Sequence, residues 1–152
     1  MKIPKFAVGL VVFILSSIAS GQGGQRYIVL PQSAGHLSFN LFEEDTRLGT
    51  WQPSKADIDG LETSLPQISG LHAANSKFSP TIEHPEAYFR QYIGATVSQS
   101  RLIYVNAFCG DTPPSDWKEH LYVVMDGGTC FWQAFYDPVK KSFSNLTING
   151  RA

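Results

Sequence analysis

The sequence predicts an α+β fold in which one amphipathic helix packs on a curved antiparallel sheet of four to five strands. Three observations carry that expectation. A single stretch, Ile58, Leu61, Leu65 and Ile68, has its apolar residues spaced three, four and three apart, the stripe of one helix face. From Tyr88 onward the chain reads as successive β-rich runs separated by Gly, Pro and Asp punctuation. The composition, 43% hydrophobic and 12% aromatic over 152 residues, suits one well-filled core.

Residues 1–21 stand outside this domain. Lys2 and Lys5 form a positive start, Phe6 to Ile18 is almost wholly apolar, and small residues follow, which is the pattern of a secretory signal peptide. Cleavage after Ala19 or after Gly21 satisfies the small-residue rule, and Gly21 is preferred. The apolar run is shorter than the roughly 20 residues a membrane span needs, so no stable membrane insertion is expected after cleavage. The exported chain would then hold 131 residues with 10 basic against 13 acidic side chains, a net charge of −3. Its basic residues are scattered, with Lys140-Lys141 the only adjacent pair, so nucleic acid is not an expected partner. The expected location is secreted or periplasmic.

Along the exported chain, residues 22–48 form a weakly patterned N-terminal segment in which Tyr27–Leu30 or Leu37–Phe42 supplies a first strand. Residues 49–152 form the single α+β domain. Ser54 and Asp57 make a capping box for the helix, and Pro66 ends its last regular turn near Leu65. Residues 69–85 read as a loop. Tyr88–Ile93 and Arg101–Phe108 form a hairpin about a turn near Ser98-Gln-Ser100. His120–Met125 reads as a strand that returns through Asp126-Gly-Gly128, the strongest hairpin turn of the sequence, into Thr129–Tyr136. Asp137–Lys141 turns again into a last strand, Ser142–Ile148. One helix laid across a curved antiparallel sheet is the layout of cystatin-like α+β folds.

The set Trp51-x-Pro53-Ser54, Asp57-Ile58, Leu61-Glu62, Tyr88-x-Arg90-Gln91-Tyr92-x-Gly94, Ile103-Tyr104-Val105-Asn106, Asp126-Gly127-Gly128, Phe131, Tyr136-Asp137 and Asn149-Gly150 resembles small secreted bacterial proteins of unassigned function. The resemblance covers most of residues 49–152 and implies an exported α+β protein. It carries over no catalytic residue.

Two cysteines, Cys109 and Cys130, follow the export signal, and an oxidising compartment argues for a disulfide between them. A plain meander of residues 101–109, 118–125 and 129–136 would leave them at opposite ends of the sheet. Either the loop after Cys109 folds back, or the strand order is not a plain meander, or the thiols are free and buried. The run Gly128-Thr-Cys-Phe-Trp132 faintly echoes papain-type nucleophiles, but Cys130 falls in a strand instead of at a helix N-terminus, so a structural role is expected. His36, His72, His84 and His120 are too widely spaced for a metal site. No dinucleotide, phosphate-loop or serine-nucleophile motif is present, so no cofactor is expected.

Alternation places Tyr88, Arg90 and Tyr92 on one side of their strand, and Tyr104 and Asn106 on one side of the next. If the two sides coincide, these five residues form a ligand-binding face in which Arg90 holds a carboxylate or sugar-phosphate group. The competing arrangement buries the tyrosines and pairs Arg90 with an acid such as Glu62 or Asp126. The expected function is a non-enzymatic exported module that binds an envelope protein or a small ligand, with a small hydrolase or isomerase using a pocket between helix and sheet as the alternative.

Overall fold

The computed structural model describes residues 24–37, 45–75 and 80–150. The expected signal peptide and most of the Leu37–Phe42 run lie outside the described residues. The elements are β1 (Tyr27–Val29), β2 (Thr46–Leu48), α1 (Lys55–Ser64), β3 (Phe89–Val97), β4 (Ser100–Phe108), β5 (Phe131–Asp137) and β6 (Ser142–Ile148). Short 3-10 turns cover Gln32–Leu37, Leu65–Gly70, Pro85–Ala87 and Gly128–Cys130. The fold is α+β as expected, but the sheet formed by the described residues has six strands. β3, β4, β5 and β6 follow one another as antiparallel neighbours, while β1 and β2 share the other edge of β3. β1 runs parallel to β3 opposite Arg90–Tyr92, and β2 runs antiparallel opposite Ala95–Val97. The weakly patterned N-terminal segment therefore contributes two short strands.

α1 begins where its sequence says it should. The Asp57 amide donates to Ser54 Oγ at 3.3 Å and the Ser54 amide donates to Asp57 Oδ2 at 2.8 Å, closing the capping box. Ile58 and Leu61 are buried, and the stripe continues through Leu65 and Ile68 in the 3-10 turn that Pro66 opens. This stripe packs on Tyr92, Ile103, Val105, Trp132, Tyr136, Leu146 and Ile148, which fill the helix side of the sheet. Leu30, Leu48, Ile93, Tyr104, Leu121 and Phe135 form a second cluster on the opposite side. Phe89, Phe108 and Trp117 form a third.

The β3–β4 hairpin turns on Ser98 (φ 44°) and Gln99 (φ 69°). Two successive left-handed residues give a two-residue turn whose twist matches the flanking strands. Gly94, in β3, faces Trp51: the Trp51 indole donates to the carbonyls of Ala95 and Leu102 at 3.0 and 3.2 Å, and its own carbonyl oxygen lies 2.0 Å from where a Cβ on Gly94 would stand. Only a residue without a Cβ admits this approach.

The expected strand at His120–Met125 is not part of the sheet. β4 pairs directly with β5, in a register that sets Phe108 against Phe131, and residues 109–130 form an excursion between them. Asp126-Gly-Gly128 still supplies left-handed backbone, at Gly127 (φ 94°) and Gly128 (φ 59°), but it leads into β5 without making a hairpin. Direct β4–β5 pairing also settles the cysteines. Cys109 and Cys130 stand next to the last paired residues, 4.9 Å apart at Cα and bonded as a disulfide, because residues 118–125 are not the middle strand of the expected meander. The Cys109 amide donates to the Cys130 carbonyl at 2.9 Å, so the bridge continues the ladder by one step. Replacing both cysteines with serine is expected to lower unfolding free energy by about 3 kcal/mol, read from urea denaturation. Thiol titration of the denatured, unreduced protein should find no free thiol.

Candidate functional site

Register decides where the candidate residues go. Gln91 pairs with Asn106 and Ile93 with Tyr104, so Tyr104 and Asn106 share a side with Gln91, not with Arg90 and Tyr92. The five residues are thus divided between the two faces of the sheet.

On the helix side, Arg90 is 3% exposed and enclosed. Its Nη1 donates to the carbonyls of Pro85, Glu86 and Tyr88 at 3.2, 2.8 and 2.6 Å, its Nε donates to Tyr92 Oη at 2.8 Å, and its Nη2 lies 3.2 Å from Glu62 Oε2. The Tyr92 hydroxyl donates to the other Glu62 oxygen. Burial pushes the Tyr92 phenol well above the ordinary tyrosine range, while the Arg90 guanidinium pulls the other way. Tyr92 also stacks on Tyr27, and the Tyr88 hydroxyl donates to the Thr129 carbonyl at 3.0 Å. Arg90 therefore ties α1, through Glu62, to β3 and to the turn at Pro85–Ala87. Of the two arrangements the sequence left open, this is the pairing with Glu62.

The opposite face carries a row of polar side chains, three amides and a threonine, that crosses four strands at one level. Gln91, Asn106, Gln133 and Thr147 are successive cross-strand partners. Gln91 Nε2 donates to the carbonyls of Trp117 and His120 at 2.5 and 2.7 Å, while its Oε1 accepts from the Tyr122 amide and from Asn106 Nδ2 at 2.8 and 3.0 Å. Asn106 Nδ2 also donates to the Tyr122 carbonyl at 2.8 Å. Gln133 Nε2 reaches Asn106 Oδ1 and Asn149 Oδ1 at 3.5 and 3.2 Å, and its Oε1 accepts from Thr147 Oγ1 at 3.1 Å. Asn149 Nδ2 donates to the carbonyls of Val124 and Asp126 at 2.5 and 3.0 Å. Backbone groups anchor both ends, so the orientation of every amide in the row follows. This row fastens the excursion at residues 117–126 across the face of the sheet. Replacing Gln91 with Ala strands the Tyr122 amide and two carbonyls; the expected loss is about 2 kcal/mol, with faster hydrogen exchange at Tyr122 than at β4 amides.

Between this fastened segment and the sheet lies an open cleft of about 500 Å³. Tyr104, Asn106, Gln133, Phe135 and Thr147 contribute from the sheet, and Leu121, Val123 and Met125 from the excursion. Among the described residues, its lining contains no Asp, Glu, Lys, Arg or His. Burial raises the Tyr104 phenol far above its ordinary value, so that group is neutral throughout the physiological range. The helix side is filled instead by packed side chains, and the cleft lies across the sheet from it.

Gln91, Gln133 and Asn149 escape pattern reading as site residues. For Gln91 and Gln133 the signal is an amide placed inside a mainly apolar strand, as in Phe89-Arg-Gln-Tyr-Ile93 and Phe131-Trp-Gln-Ala134, where a buried polar group needs partners, whereas Asn149 follows β6 and has no such signal. Set against models of known families, against curated proteins and against solved structures, the chain has no match.

Proposed function

We propose that this is an exported, non-enzymatic binding module on a scaffold of cystatin-like layout, and that its ligand lies in the cleft over Tyr104 and Asn106. The observation that carries this reading is the character of the lining: apolar and amide side chains without a charged group among the described residues. Such a lining supports binding of a neutral ligand or of an uncharged stretch of an envelope protein, and it supplies no acid–base pair for hydrolysis or isomerisation. Arg90 belongs to the frame of the module in this reading, because its donors are engaged within the protein.

The experiment compares capture from cell-envelope extract by the natural protein and by Asn145→Arg, which places a charge at the exposed mouth of the cleft. Capture should fall about tenfold or more, whereas the melting temperature should drop by only a few degrees, the cost of Arg at a left-handed position (φ 52°) that Asn tolerates. Equal capture by the two proteins would remove the cleft as the binding site.

A further inference from the structure

Asn149-Gly150 is the only step in the sequence at which glycine follows asparagine, and it lies just past β6, where the sheet meets the excursion. Its backbone is fixed on both sides: the Asn149 amide donates to the Phe131 carbonyl at 3.0 Å, and the Gly150 carbonyl accepts from the Gly128 amide at 2.9 Å. The Asn149 side chain donates to the carbonyls of Val124 and Asp126 through Nδ2. Among the described residues, no other group bonds the backbone of residues 123–126. This one carboxamide therefore holds the second half of the excursion, as Gln91 and Asn106 hold the first. The Gly150 amide, by contrast, has no hydrogen-bond partner among the described residues, and the space beside its Cα is open.

We propose that Asn149 is a site of spontaneous deamidation, and that losing its amide releases residues 123–126 from the sheet. The Gly150 nitrogen attacks Asn149 Cγ and gives up its proton. A nitrogen–Cγ bond forms, the Cγ–Nδ2 bond breaks, and ammonia leaves carrying that proton, which closes a five-membered succinimide. Water opens the ring at either carbonyl to give aspartate or isoaspartate, with no oxidation or reduction and no co-reactant besides water. Two features of the site favour the step. Glycine has no Cβ to crowd the closing ring, and its unpartnered N–H is given up without breaking a bond in the protein. The Asn149 carboxamide must swing off its carbonyls to be attacked, so the rate follows local opening of the excursion. The product cannot swing back to the same bonds. A carboxylate is an acceptor only, so the Val124 and Asp126 carbonyls lose their donor and meet a negative charge instead. Isoaspartate also adds a methylene to the main chain, which carries the Gly150 carbonyl away from the Gly128 amide. The change is one-way, and it is read from the excursion itself, apart from whatever the cleft binds.

The test is to age the protein, purified from an exporting host, in mildly alkaline buffer and to sample it over weeks. Mass spectrometry should find a gain of about 1 Da at Asn149 at least about ten times faster than at Asn145, which is exposed but followed by leucine. Hydrogen exchange at the Gly128 amide should be about tenfold or more faster in the aged fraction, with β4 amides unchanged. Gly150→Ala adds a methyl group into open space at a backbone angle that alanine accepts, so it should keep the fold and slow deamidation about tenfold. Asn149→Asp should show the faster exchange from the outset. If that variant does not fold, as read from its circular dichroism, the aged natural protein decides. An amide at 149 that lasts as long as the one at Asn145 overturns the proposal, as does an equal rate in Gly150→Ala. Unchanged Gly128 exchange in either the aged protein or Asn149→Asp overturns it equally.

Discussion

Gly94→Ala should cost this protein about 4 kcal/mol, a drop in melting temperature of about 10–20 °C, although it adds a single methyl group. The methyl would stand 2.0 Å from the Trp51 carbonyl oxygen and 2.9 Å from its carbonyl carbon, far inside van der Waals contact. Neither neighbour can retreat cheaply. Trp51 is held by its indole bonds to Ala95 and Leu102, and β3 is paired on both sides. Overpacking against backbone forces one of those attachments to break, which is why the effect exceeds that of adding a methyl beside a flexible side chain. Thermal melts of the two proteins measure it. A change below about 1 kcal/mol would mean that the segment before α1 is loosely seated on the hairpin.

A loss of similar size, about 3–5 kcal/mol, is expected for Arg90→Met. The substitution keeps much of the aliphatic stem but removes every donor, leaving three backbone carbonyls, the Tyr92 oxygen and Glu62 without the guanidinium. Most of the cost is the desolvation of groups left behind rather than the net worth of the ion pair. Glu62→Gln should cost less, since the Glu62 side chain is 28% exposed and water reaches its amide replacement. Adding Glu62→Leu to Arg90→Met should recover part of the loss, because the unpaired carboxylate is then gone. Urea denaturation of the single and double variants provides the comparison. Should Arg90→Met fold with natural stability yet lose capture from envelope extract, Arg90 would be a ligand contact and not a structural tie.

The elements legible in the sequence are those determined by their own residues. Ser54, Asp57 and the Ile58–Ile68 stripe specify α1 locally, and the β3–β4 and β5–β6 hairpins are closed by short turns between strands of matched length. What pattern reading places wrongly depends on partners distant in the chain. His120–Met125 has strand composition, but its inward backbone groups are taken by amides from β3, β4 and the residue after β6. Composition cannot distinguish an amide that bonds backbone from one that faces solvent. The division of the five candidate residues between two faces is likewise a matter of register, which a one-residue slip would reverse. Of the two runs offered for a first strand, Tyr27–Leu30 forms β1, whereas β2 is not expected from the sequence, because three residues leave almost no periodicity to detect.

The shared edge of β3 also orders events in time. β1 and β2 are synthesised before the strand they need, and β1 must wait for Arg90–Tyr92, more than sixty positions downstream of Tyr27. The β3–β4 hairpin closes across two residues and can form within microseconds, whereas the N-terminal pairings bear the entropy of long loops. Folding therefore runs against the direction of synthesis, with the first strand made being the last to dock. Substitutions in β1 should accordingly speed unfolding and leave the folding rate nearly untouched; φ-values near one there would reverse that order. Until the central hairpin exists, the N-terminal stretch has no place to bind on its own protein, and that interval leaves it accessible to whatever machinery handles the nascent chain.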